Sequence, residues 1–209
     1  MRDGKSFAVL VGIVRDELEF SHEVEGEKFY KTVLQVKRKS GIVDEVPVEV
    51  SERTSGYEFM VEGCFVGITG DVRTRNIDED GRRKLHVCVF IDEVLPAEED
   101  KGVNEVGFTG TICREVHLKE RDNRWKIADM MLAVNRVCGK KIKNYYIPCI
   151  AFGRNAEYVS NLPIGTTLEI EGRFQSRKYN KKMENGEGLE LKTAYEVAIR
   201  KLVEVKGYD

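Results

Sequence analysis

The sequence predicts an all-β protein built from two small barrels in tandem. Three observations carry that expectation. The chain repeats itself at a spacing of about a hundred residues, its apolar residues alternate with period two, and each repeat leaves room for one short helix.

The repeat is read block by block. Gly12-Ile-Val-Arg15 matches Gly110-Thr-Ile-Cys-Arg114, and Val33-Leu-Gln-Val-Lys-Arg38 matches Met131-Leu-Ala-Val-Asn-Arg136 at an offset of 98. Val46-Pro-Val48 matches Ile147-Pro-Cys149 at 101, and Gly70-Asp-Val-Arg-Thr-Arg75 matches Gly172-Arg-Phe-Gln-Ser-Arg177 at 102. Val87-Cys-Val-Phe-Ile91 matches Tyr195-Glu-Val-Ala-Ile199 at 108. The order is kept while the offset drifts, as expected of loop insertions between retained strands.

Each repeat reads as five strands. In the second they are expected near 106–114, 124–136, 144–153, 167–180 and 190–203, with the clearest alternation in Thr167-Leu-Glu-Ile-Glu171 and Tyr195-Glu-Val-Ala-Ile199. Between strands three and four, 155–162 is expected to be helical, with Ala156, Val159 and Leu162 on one face and Pro163 and Gly165 ending it. In the first repeat 56–61 fills the same slot, ended by Gly63. Five short strands with a helix after the third describe an OB-fold, a partly open Greek-key barrel. The charged, Pro- and Gly-containing stretch 96–102 separates an N-terminal barrel, 1–98, from a C-terminal barrel, 103–209.

Composition narrows the function. No apolar run approaches the ~18 residues that a membrane span needs, and 1–5 lacks the pattern of a secretory signal. The five cysteines include no C-x-x-C pair, so neither a disulfide framework nor a zinc site is expected, and a cytoplasmic location fits. The three histidines have no evident nucleophile beside them, and no Walker-type loop or H-E-x-x-H is present. The expectation is a protein that is not an enzyme and uses no metal or cofactor. Asn76-x-Asp78-x-Asp80-Gly81 resembles the start of a calcium loop, but the position needing Glu is Val87, and a hairpin turn explains the residues better.

Charge is divided unevenly. Residues 1–100 hold 14 Lys/Arg against 22 Asp/Glu, a net of −8; 101–209 hold 20 against 14, a net of +6. In the second repeat Arg136, Lys140, Lys141 and Lys143 cluster beside Tyr145 and Tyr146. Arg173, Arg177, Lys178, Lys181 and Lys182 flank Tyr179. Two basic segments next to tyrosines in adjacent hairpins suit a polyanion carrying flat bases: cations pair with phosphates and aromatic faces stack on bases.

The second repeat resembles the bacterial single-stranded DNA-binding protein (SSB) family. The residues that carry the resemblance are Leu132-Ala-Val-Asn-Arg136, Ile147-Pro-Cys-Ile-Ala-Phe-Gly-Arg-Asn-Ala-Glu157, Gly165, and Gly172-Arg-Phe-Gln-Ser-Arg-Lys-Tyr179. The resemblance implies sequence-independent binding of single-stranded DNA in replication, recombination or repair. It places stacking aromatics on Tyr146, Phe152 and Tyr179, with Arg154 in the same motif. A further family aromatic falls on Cys138 and is missing, while Trp125 lies outside the family's stacking positions. The family's usual four barrels imply a homodimer. Its acidic C-terminal tip has no counterpart here, so protein partners stay undefined.

The first repeat keeps the pattern without the signature. Lys37, Arg38, Arg73 and Arg75 are its candidate contacts, set against five glutamates between Glu17 and Glu27, and the aromatic positions fall on Val46 and Val50 or nearby aliphatics. This barrel is expected to bind weakly or to serve assembly. The rival reading for the whole chain is a primosome-type adaptor that works through protein–protein contacts.

Overall fold

A computed structural model describes residues 6–79, 81–99, 102–121, 125–138, 141–182 and 188–205. Alternation sets the direction of each strand's side chains. In β1 (Phe7–Val14) Ala8, Leu10 and Val14 are buried while Phe7 and Val9 face out. β2 (Glu19–Val24), β3 (Glu27–Lys37), β4 (Val43–Ser51), β5 (Phe65–Glu79) and β6 (Arg82–Pro96) complete the first repeat. β7 (Asn104–Ile112), β8 (His117–Arg121), β9 (Trp125–Cys138), β10 (Lys141–Phe152), β11 (Thr167–Lys182) and β12 (Leu189–Glu204) make the second. Helix α1 (Arg154–Ser160) sits between β10 and β11 and buries Ala156 and Val159; a single 3-10 turn at Tyr57–Phe59 holds its place in the first repeat.

Each repeat closes into a barrel. β1 pairs with β5 and β3, β3 with β4, β5 with β6, and a parallel β4–β6 pair completes the ring. The second repeat does the same with β7, β9, β10, β12 and β11. The register repeats the sequence offsets. Ile13↔Gln35 becomes Thr111↔Ala133, and Val48↔Val89 becomes Cys149↔Val197.

The repeat glycines Gly70 and Gly172 follow from this closure. Both lie at a register shift where the long strand bends from one side of the barrel to the other. A Cβ there would lie 2.0 Å from the Phe90 carbonyl oxygen at Gly70, or 2.2 Å from that of Ala198 at Gly172. Only glycine fits so close an approach.

The structure adds a sixth strand to each repeat. β2, read from sequence as a glutamate-rich loop, pairs with β3 through a two-residue turn at Glu25 and Gly26, both with positive φ. That is the turn geometry matching the twist of a tight hairpin. β8 likewise pairs antiparallel with β9. These arms flank the closed barrels without entering the ring, and β2 has no fully buried residue, so it carries no alternating pattern.

The two barrels join edge to edge. β1 and β7 pair antiparallel, with Ala8 opposite Val106, its own counterpart at offset 98. A strand paired with its repeat at an equivalent residue places a local two-fold axis there, so the barrels face each other as two subunits would. No helix among the described residues is long and apolar enough to cross a membrane.

Candidate nucleic-acid interface

The outer face of the second barrel is built by alternation. On β10, Tyr145, Ile147, Cys149 and Ala151 point into the core, which turns Tyr146, Pro148 and Phe152 to the other face, where Ile150 is covered. On β11, Phe174 points into the core while Arg173, Arg177 and Tyr179 lie on the other face, where Gln175 is buried beneath the surface. Pairing of Gln175 with Glu196 and of Ile150 with Ala198 places both rows on one sheet face with β12 between them. Tyr146, Phe152 and Tyr179 are all more than a third exposed, as stacking faces must be.

The charges on this face are not equally available. The Arg177 guanidinium pairs with Glu196 at 3.0 Å and lies 5.8 Å from the Tyr179 ring centre, so it frames that aromatic. Its hydrogen bond to Glu196 is the main cause of a pKa raised above the ordinary arginine value. Glu196 also accepts from Gln175 Nε2 at 2.8 Å, which fixes a buried polar row beneath the surface. Lys143, Arg154 and Lys178 are exposed. Lys140 lies outside the described residues, and of Lys141 only the backbone, at the start of β10, is described.

Arg136 and Arg173 have a different setting from the one expected. Arg136 forms an ion pair across the barrel seam with Asp71 of β5, itself held by Arg73 at 3.0 Å. Burial is the largest single influence and opposes its charge, but the hydrogen bond and charge of Asp71, joined by the charges of Asp92 and Tyr145, together raise its pKa. At the other end of the seam Arg38 grips the buried Asp44 through two hydrogen bonds of 2.5 and 2.6 Å. Arg173 lines a cleft of about 330 Å³ with Arg38, and burial followed by repulsion from Arg38 lowers its pKa.

The seam repeats a hydrogen bond as well. The Tyr146 N–H donates to Thr74 Oγ1 at 2.9 Å, and the Glu45 N–H donates to Ser176 Oγ at 2.9 Å. These residue pairs are counterparts at offsets 101 and 102. Tyr146 therefore has its backbone clamped to the first barrel while its ring faces outward.

The first barrel departs from expectation in a second respect. Val46 and Val50 point into the core and are fully buried. Its outer face instead carries His22 stacked on Phe29 (ring centres 4.7 Å apart), Phe90 tilted against Phe29, and the Arg73 guanidinium 3.5 Å above Phe90. They line a cleft of about 510 Å³, which Lys143 and Tyr145 reach from the second barrel. Sequence reasoning missed these rings because they come from β2, β3 and β6, away from the aligned positions. Cations are compensated here: Arg75 pairs with Glu49 at 3.2 Å, as Arg73 does with Asp71. Lys37, at the end of β3, is exposed.

Residues 103–204 match the single-strand binding protein family. Among solved structures, the wild-type single-stranded DNA binding protein from Thermus aquaticus aligns with a TM-score of 0.75 at 19% identity, covering 99% of this chain and 95% of that one. A deletion mutant of the same protein aligns at 0.72 and 20% identity over 100% and 98%. These likenesses show the fold. The N-terminal domain of PriB from Thermoanaerobacter tencongensis, described as dimeric, is 36% identical over 45% of this chain and 98% of that one, with a TM-score of 0.40. No curated protein matches the chain.

Proposed function

Because its second barrel belongs to the single-strand binding protein family, we propose that this protein is a binding protein, not an enzyme, that holds single-stranded DNA without regard to sequence. The observation that carries the reading is the row of exposed aromatics Tyr146, Phe152 and Tyr179 on one sheet face beside Arg177, with Lys178 and Lys143 exposed at neighbouring positions of β11 and β10. Bases stack on the rings and phosphates pair with the cations, so affinity falls steeply with salt. Arg154, exposed at the start of α1, extends the cationic rim, and Lys140 and Lys141 are phosphate partners assigned from sequence. Arg136 contributes by fixing the seam that supports Tyr146, and Arg173 lines the cleft beside Arg38.

The second barrel makes most of the contacts in this reading. The first contributes less, because Arg38, Arg73 and Arg75 are each tied to a carboxylate. A cytoplasmic setting in replication, recombination or repair fits the four cysteines seen as free thiols. Two barrels per chain fit a homodimer that presents four, and light scattering tests that assembly.

Fluorescence anisotropy of a labelled dT oligomer tests binding. Wild type is expected to bind tightly at low salt and to weaken steeply as salt rises, with Tyr146→Ala/Tyr179→Ala losing most of the affinity. Weak binding that the double substitution leaves unchanged would favour the adaptor role instead.

A further inference from the structure

Trp125 opens β9, at the opposite end of that strand from Cys138, where the second barrel lacks an aromatic. It is 67% exposed, more than any other large apolar side chain among the described residues. Trp is on average a well-buried residue, so an indole left in water needs a reason.

Its position supplies one. Phe152 pairs with Ile127 across the β9–β10 ladder. Trp125 lies two residues further along β9, so alternation puts it on the face that carries Phe152 and Tyr146. Two residues advance about 7 Å along a strand, so the indole continues the aromatic row beyond Phe152. Lys119 of β8 sits opposite Ile127, across β9 from Phe152, and pairs with Asp129 at 2.5 Å. β8, whose Arg121 pairs opposite Trp125, has no place in the barrel ring. Trp125 is spent on neither core nor closure.

We propose that Trp125 is a stacking platform for single-stranded DNA, so that the bound strand runs past Phe152 onto the β8–β9 arm. The inference rests on the reading of the second barrel as a single-strand binder and assigns that surface an additional residue. Every cation and ring already on the face remains in use; the path becomes longer by one aromatic step.

Trp125 is the only tryptophan in the chain, which makes the test direct. The full chain is titrated with a fluorescein-labelled dT oligomer, followed by anisotropy, and with the unlabelled oligomer, followed by tryptophan emission. Stacking predicts that the emission is quenched in step with the binding isotherm. Trp125→Ala is expected to weaken binding about 5- to 150-fold, the range one lost stacking face implies, and Trp125→Phe to restore most of it. An unchanged circular-dichroism melt of Trp125→Ala shows that the fold is intact; were it lowered, the emission quench on unaltered protein would decide alone. Saturable binding with unchanged emission, and with Trp125→Ala equal to wild type, would overturn the platform and leave the second barrel's role standing. No anisotropy change at any oligomer concentration would overturn both.

Discussion

Arg136 of the second barrel and Asp71 of the first form an ion pair across the seam between them. The carboxylate is almost wholly buried and is shared with Arg73, while Arg136 keeps about a third of its side chain in solvent (35%). A family motif residue that sequence alone assigns to a phosphate is thus engaged within the chain. Arg136→Ala is expected to destabilise the protein by about 1–3 kcal/mol, less than for a fully buried pair because Arg73 stays to hold Asp71. Denaturant unfolding reads that loss. Its effect on DNA affinity should be small beside that of Tyr146→Ala.

The exposed cations predict a different signature. Lys178 lies next to Tyr179 on β11 and is open to solvent. Lys178→Glu should leave the melting temperature within a degree or two and reduce the slope of log affinity against log salt by about one phosphate's worth. An unchanged slope would remove Lys178 from the contact set.

Val46 and Val50 separate core from surface in the first barrel. Both are fully buried in the ring. Each Val→Ala change should cost about 2–3 kcal/mol through lost transfer energy and residual cavity. Phe29→Ala with Phe90→Ala, on the outer cleft, should disturb the local ring cluster and reduce DNA affinity less than Tyr146→Ala with Tyr179→Ala. Equal losses from the two pairs would mean that the barrels share the work.

Much of this was legible from residues alone. The offsets 98, 101, 102 and 108 reappear in the strand registers, because each block is a strand whose partners had to move with it. The positions of Tyr146, Phe152 and Tyr179 came from the family resemblance, and the strands turn all three to the exposed face. The hairpin arm β2 was not legible, since a flap without a core face carries no hydrophobic period. Nor was the seam: Asp71 and Arg136 are 65 positions apart in sequence, and a polar pair bridging two barrels leaves no local signal. The His22, Phe29 and Phe90 cluster stayed hidden for the same reason, because three strands meet only in space.

His86 gives the protein a predicted acid sensitivity. It lies on β6 opposite Arg75, and its pKa is lowered below the ordinary 6.5 by burial first and then by the Arg75 charge; Lys31 adds to this and Glu49 partly opposes it. In the unfolded chain the imidazole takes up a proton near pH 6.5, while the folded chain resists it to lower pH. The unfolded state therefore binds more protons through that window, and stability must fall as pH falls. The contribution is fully present above pH 6.5 and is lost down to the folded pKa. Urea unfolding between pH 7.5 and pH 5 should show this decline, and His86→Gln, which cannot take up the proton, should flatten it over the upper part of that range. A decline just as steep in His86→Gln would remove His86 as its source.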